Sequence, residues 1–92
     1  VSPAEIERVI HEIDGVSEVV VVGVPDPILG QAVKAVVVPV DRDSLTAKGV
    51  MHHCARRLES FMVPKYVEFR ASLPKTPSGK VSRREILRNS DP

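Results

Sequence analysis

Residues 16–40 read VSEVVVVGVPDPILGQAVKAVVVPV, and this stretch decides the fold. Val16 to Val24 is dense in β-branched residues, which lose side-chain freedom in a helix and pack well on a pleated surface, so it is expected to form a strand. Val24-Pro25-Asp26-Pro27, closed by Gly30, is predicted to be a loop, because two prolines and a glycine punctuate it. Ala32 to Val40 then reads as a second strand. It is apolar on both faces, the pattern of a strand covered from both sides, and is expected to be central in its sheet.

Working outward, both flanks read as helices. Ser2 is an N-cap, Pro3 suits the first helical position and Glu5 completes a Ser-x-x-Glu capping box. Ile6, Val9, Ile10 and Ile13 fall on one helical face, and Gly15 is the expected stop. The chain opens directly at that cap, as a domain cut from something larger would. On the other flank, Asp41-Arg42-Asp43-Ser44 reads as a turn and Thr46 as the cap of a second helix. Its buried stripe is predicted to be Val50, Cys54 and Leu58, with Met51 and Ala55 beside it and Pro64 as its end. Gly49 weakens this helix by about 1 kcal/mol relative to alanine. Tyr66 to Phe69 is a short strand, and a last capping box, Ser82-x-x-Glu85, opens a short helix carrying Ile86 and Leu87.

Strands and helices interleave without the rhythm of a doubly wound sheet, so the expected class is α+β: a small two-layer sandwich with a roughly three-stranded sheet and helices packed on it. The 92 residues make one domain, 1–92, with no internal repeat and a polar end at Asn89 to Pro92. A chain of this size buries roughly 60–65% of its unfolded surface, so its core has little margin.

Composition narrows the functions open to it. With no Trp and one Tyr, base-stacking platforms for nucleic acid are not expected. The net charge of +1 is unevenly spread: residues 1–64 hold 6 basic and 9 acidic side chains, residues 65–92 hold 7 and 3. Arg83, Arg84 and Arg88 in the basic end could meet an anionic ligand or surface, or could be a solvated face. A lone Cys54 cannot close an internal disulfide, which fits a cytoplasmic setting. No apolar run approaches a membrane span, and no signal peptide is read. His52-His53-Cys54 invites a metal, but consecutive helical residues point about 100° apart and cannot converge on one ion, so no metal site is predicted. Glu5, Glu7 and Glu12 read as capping and a solvated helix face.

The stretch Leu73-Pro74-Lys75-Thr76-Pro77-Ser78-Gly79-Lys80 is expected to be irregular and is the most informative part of the chain. Two prolines stiffen it and Gly79 permits a backbone conformation other residues avoid. Lys80 is thereby presented as a point charge suited to phosphate or carboxylate oxygens. The spacing of a Walker A loop is missing. Taken alone, the stretch also reads as a surface turn with a solvated lysine.

Four blocks together say more: Val1-Ser2-Pro3-x-Glu5-Ile6-Glu7, Val22-Gly23-Val24-Pro25-Asp26 with Gly30 after it, Val63-Pro64-Lys65, and Leu73 to Lys80 followed by Val81-x-Arg83. Their order resembles the C-terminal domain of the adenylate-forming superfamily, which includes acyl- and aryl-CoA synthetases, adenylation domains of nonribosomal peptide synthetases, and firefly luciferases. The resemblance covers nearly the whole chain. It implies a two-step ligase, in which a carboxylate attacks ATP to give an acyl-adenylate and a thiol then displaces AMP. It implies Lys80 as the catalytic residue of the first step, with Ser78 and Gly79 shaping its loop and Arg83 near the nucleotide. Asp26 beside Gly23 and Gly30 reads first as a residue that shapes its loop, and as the alternative this loop faces the thiol channel once the domain has swung. ATP or AMP, Mg2+, coenzyme A and the carboxylic acid would be bound mainly by a large N-terminal domain, the lid's partner. The family's hinge and its thiol-guiding glycine loop lie upstream of Val1, so the isolated chain is expected to be inactive. Lysines at this place in the family are acetylation targets, and acetylation of Lys80 would remove the needed cation. The blocks look most like those of an AMP-forming acyl-CoA synthetase. The alternatives are the C-terminal part of a peptide synthetase adenylation domain and a non-catalytic basic interaction module.

Overall fold

The structure, a computed structural model, describes residues 2–88. Val1 and the polar end at Asn89–Pro92 lie outside the described residues. The valine-rich stretch forms an antiparallel hairpin of β1 (Val16–Asp26) and β2 (Gly30–Pro39), in register from Val16 opposite Pro39 to Asp26 opposite Gly30. The expected loop is therefore shorter than the sequence suggested: β1 runs on through Pro25 and Asp26. Pro25 is tolerated because β1 is an edge strand, where a missing N–H leaves no central ladder bond unmade. The Asp26 carboxylate accepts the N–H groups of Ile28 (3.1 Å) and Leu29 (2.8 Å), so the turn's donors are satisfied by its own first residue.

A third strand, β3 (Tyr66–Phe69), pairs parallel with β2 from Lys34 opposite Tyr66 to Val37 opposite Phe69. The order β1-β2-β3 puts β2 in the centre, as its two apolar faces required. The crossover to a parallel strand needs a helix, and α2 (Ala47–Arg57) supplies it, with Thr46 Oγ1 accepting the Gly49 N–H at 3.0 Å. This helix stops well before Pro64. Leu58 adopts extended backbone, and a single 3-10 turn, Ser60–Met62, drops Met62 into the core. Val50 and Cys54 form the buried stripe, Leu58 and Met51 are half-buried, and Ala55, one position past Cys54, faces solvent.

Before the sheet, α1 (Pro3–His11) starts at Ser2, whose Oγ accepts the Glu5 N–H, and Gly15 with φ +96° turns the chain into β1. Ile6, Val9 and Ile10 of α1 pack with Val50 and Cys54 on Val19, Val21, Ala35 and Val37. The alternate residues Val20, Val22, Val24, Val36 and Val38 face the other way. They are covered by Leu73 and by Ile86 of α3 (Arg83–Arg88). The valine run is thus divided between a larger core under two helices and a smaller one under the lysine-bearing segment, each fully buried valine or isoleucine contributing about 1.5–3 kcal/mol.

One irregularity serves both cores. Val16 pairs with Pro39 and Glu18 with Val38, so β1 carries an extra residue, Ser17, against its partner. Without that bulge Val16 and Glu18 would share a face. With it, Val16 packs against the helix-covered core while Glu18 stays on the side of Leu73 and Ile86.

Candidate functional site

The stretch expected to be irregular is a miniature hairpin. Lys75 and Val81 form an antiparallel bridge, the Thr76 N–H donates to the Lys80 carbonyl at 2.7 Å, and the Gly79 N–H donates to the Thr76 carbonyl at 2.9 Å. One rung lower, the Ser82 N–H donates to the Pro74 carbonyl at 2.8 Å. Thr76 closes the tip from its side chain, its Oγ1 accepting the Lys80 N–H at 3.3 Å and lying 3.0 Å from Ser78 Oγ. Pro77 second in a four-residue turn, with Gly79 at φ +87° ending it, is the pattern of a three-residue hairpin loop. That signal was present in the sequence. A Cβ at Gly79 would meet nothing within 4 Å, so the glycine answers to its backbone angle and not to crowding.

Lys80 leaves this turn exposed, and among the described residues its ammonium has no ion-pair partner. The hairpin beneath it is well anchored. Leu73 is 4% exposed, Val81 packs against the same core, and Lys75 forms an ion pair with Glu18 of β1. Arg83, by contrast, is engaged by the scaffold: its Nη2 lies 2.7 Å from Glu7 Oε2, which also accepts the Val21 N–H at 2.8 Å. Glu7 so occupies an edge donor of β1 and ties α1 to α3, a role that periodicity alone, which read it as solvated, could not reveal. Arg88 pairs with Glu85 at 3.2 Å.

The second candidate group behaves differently. Asp26 has a fully buried side chain whose Oδ1 accepts from Lys65 Nζ at 2.7 Å and Tyr66 Oη at 2.6 Å, while Oδ2 accepts the two loop N–H groups. The Lys65 ammonium first, then the Tyr66 hydroxyl and the loop amides, hold this carboxyl far below the usual carboxylate range, against the opposing effect of burial. The same contact raises Lys65. Asp26 is therefore a structural knot between the hairpin tip and β3, with no oxygen left for a ligand. Gly23 sits on β1 opposite Val33, where a Cβ would come 2.8 Å from Gln31 Nε2, and Gly30 takes φ +80° at the end of the loop. Beside them a groove of about 380 Å3 is lined by Pro3, Gly23, Leu29, Gln31, Phe61 and Lys65. The structure does not bring this loop to Lys80: Glu18 and Asp26, which anchor the two, stand eight residues apart on β1, about 26 Å at strand spacing.

Other contacts link residues distant in sequence. Lys34, 3% exposed on the central strand, pairs with Glu68 at 2.7 Å. Burial pulls Glu68 upward, but hydrogen bonds from Lys34 and Arg70 outweigh it and leave the carboxyl below its ordinary value. His53 and Arg57 both reach Glu12, at 3.1 and 2.8 Å. Cys54 lies in the core, where burial pushes its thiol up to about 11.

The sequence model of the AMP-binding enzyme C-terminal domain matches residues 5–80. The chain belongs to this family. It is 49% identical over 86 residues, 94% of its length, to a long-chain-fatty-acid–CoA ligase of Escherichia coli O6:H1, of which it spans 15%. Among solved structures, a fatty acyl CoA synthetase of Mycobacterium tuberculosis superposes with a TM-score of 0.88 at 37% identity, over 94% of this chain and 17% of that one. The amide bond synthetase McbA of Marinactinospora thermotolerans gives 0.90 at 35% identity, over 96% and 18%. The C-terminal domain thus spans under one-fifth of the length of each relative. No helix among the described residues is long and apolar enough to cross a membrane.

Proposed function

We propose that residues 1–92 are the mobile C-terminal lid of an AMP-forming acyl-CoA synthetase, and that Lys80 serves its first half-reaction. The observation that carries this reading is an ammonium without an ion-pair partner among the described residues, presented on a closed and anchored turn. In that step an oxygen of the acid attacks the α-phosphorus of ATP, the bond to pyrophosphate breaks, and acyl-adenylate forms. Two anions must be held in contact while this happens. Lys80, donating to carboxylate and phosphate oxygens, offsets their repulsion, and a turn that is already rigid loses little entropy in placing it. Ser78 and Gly79 set the direction of the lysine backbone, and Arg83 holds α3 against α1 on the same basic side, next to the nucleotide.

Transfer to the thiol is assigned to the loop of Gly23, Asp26 and Gly30, with Asp26 fixing the loop's shape and its backbone facing the thiol. Anchors about 26 Å apart on one strand cannot serve the same carbonyl carbon from a single docked pose. A swing of the lid between the two steps is the arrangement that uses both. Mg2+, ATP, coenzyme A and the acid are assigned mainly to a large N-terminal domain, a reading supported by the chain's spanning 15% of the length of the Escherichia coli ligase. A cytoplasmic location, where ATP and coenzyme A are supplied, completes the reading.

The deciding experiment compares wild type with Lys80→Ala in the full-length enzyme. ATP–pyrophosphate exchange, with palmitate, octanoate, acetate and ferulate as probes, is expected to fall by orders of magnitude. Thioester formation from preformed acyl-adenylate is expected to persist, and the 92-residue chain alone to give no exchange. Equal loss in both steps would mean damaged docking, and no loss in either would refute the role of Lys80. Consumption of coenzyme A separates a CoA synthetase from a peptide synthetase adenylation domain, whose acceptor is a carrier-protein thiol. A basic interaction module is disfavoured by the engagement of Arg83 and Arg88 with Glu7 and Glu85.

A further inference from the structure

The lysine hairpin has one attachment that is neither backbone nor core. Its base is held by the Ser82–Pro74 rung and by Leu73 in the smaller core, and its tip is closed on itself by Thr76. Between them, Lys75 reaches across to Glu18 of β1. Both side chains are partly exposed, 41% and 36%, so the pair adds little to folding stability. Its geometry is nevertheless specific. Alternation along the regular run of β1 puts Glu18 on this face with Val20, and the extra residue at Ser17 lets Val16 return to the helix-covered core. A short hairpin hinged at one rung can tilt about that rung, and a side-chain tie to a neighbouring strand removes that freedom.

We propose that Glu18 is a positioning residue for Lys80, acting through Lys75 as a strut that fixes the tilt of the 75–81 hairpin on the sheet. The inference rests on the adenylation role assigned to Lys80 above. Loss of the strut leaves the turn closed but lets its tip wander, and a misplacement of about 1 Å at a reacting centre costs up to ~100-fold in rate. With the other two attachments intact, a loss of about tenfold is expected in the first half-reaction alone.

The test uses the full-length enzyme with Glu18→Gln, Lys75→Met, their combination, Lys75→Arg and Lys80→Ala. Each is assayed for ATP–pyrophosphate exchange with the fastest of the four acids, for thioester formation from preformed acyl-adenylate, for melting temperature, and for hydrogen–deuterium exchange of the segment 73–82. Glu18→Gln is expected to lower kcat of the first step about tenfold with KM for ATP, the second step and the melting temperature unchanged, and to speed amide exchange in 73–82. Lys75→Met should match it, the double variant should be no worse than either single one, and Lys75→Arg should retain most activity. Glu18→Gln within twofold of wild type, while Lys80→Ala abolishes exchange, would overturn the strut and leave the lysine reading standing. Unchanged exchange in Lys80→Ala would overturn both. A Lys75→Met loss far larger than that of Glu18→Gln and additive with it would show Lys75 acting on substrate directly, which also overturns the strut.

Discussion

Replacing Gly79 with alanine separates backbone strain from crowding at the tip of the lysine hairpin. The residue sits at φ +87°, and the space where a Cβ would stand is empty to 4 Å. Nothing has to move to admit the methyl group, so the whole cost is that of holding an L-residue in left-handed backbone, about 1–2 kcal/mol. That is a factor of roughly 5–30 in an equilibrium. It can appear in two ways. If the hydrogen bonds between Thr76 and Lys80 hold the turn in shape, the domain melts lower, by about 4–8 °C for each kcal/mol. If the turn relaxes instead, Lys80 is displaced and the first half-reaction slows by up to ~30-fold while the melt is unchanged. Thermal melting and ATP–pyrophosphate exchange, measured on the same variant, apportion the loss. Gly79→Asn supplies the control, since asparagine adopts the left-handed region more readily and is expected to recover much of the deficit. An alanine variant unchanged in both assays would refute the reasoning. So would an asparagine variant as damaged as alanine, which would place the cost in a clash with a docked partner and not in the backbone.

Ile10→Ala empties a site in the larger core that is 0% exposed, and urea denaturation is expected to show a loss of about 2–5 kcal/mol. Cys54, with its thiol raised to about 11 by burial, is expected to stay unreactive toward a disulfide reagent at pH 8 until the chain is unfolded. Rapid labelling of native protein would contradict its placement. Asp26 has its folded pKa depressed below the unfolded value of about 3.9, so its contribution is present above that pH and is lost as pH falls toward the folded value. Melts of Asp26→Asn and wild type are therefore expected to differ most at pH 7, with the gap narrowing steadily as pH falls below about 5 and still not closed at about pH 2.5, whereas a gap independent of pH would exclude the linkage.

Much of the fold could be read directly because its signals are local. Ser2 and Thr46 announce their helices within one turn, and the two valine runs announce the hairpin and the central strand. Where reading failed, the cause was an edge, a tie or a pairing set by tertiary structure. Pro25 looked like a strand terminator and is tolerated because β1 happens to be an edge. Asp26 was read only as part of a loop, yet its partners Lys65 and Tyr66 lie 39 and 40 positions away. Glu7, Glu12 and Lys34 likewise acquire meaning from partners that no periodicity points to. The lysine turn is the instructive case. Pro77 and Gly79 stood at the positions a tight hairpin demands, but the strand pairing around them is a single bridge, too short to register as a β pattern.

The extra residue at Ser17 also governs how this domain can change length. A strand has a phase, and every residue before the bulge is half a period out of step with every residue after it. Deleting Ser17 would not trim a surface loop. It would remove the bulge: Val16 would stand next to Glu18 on the opposite face, still opposite Pro39, and would keep its place under the helices. Deleting a residue inside the regular run from Glu18 to Val24 would instead carry every residue on one side of the gap to the wrong face. Variation in length is accordingly expected to collect in the turns at 27–29 and 41–44 and at position 17, the one place in β1 where a residue can be lost with the faces on both sides kept.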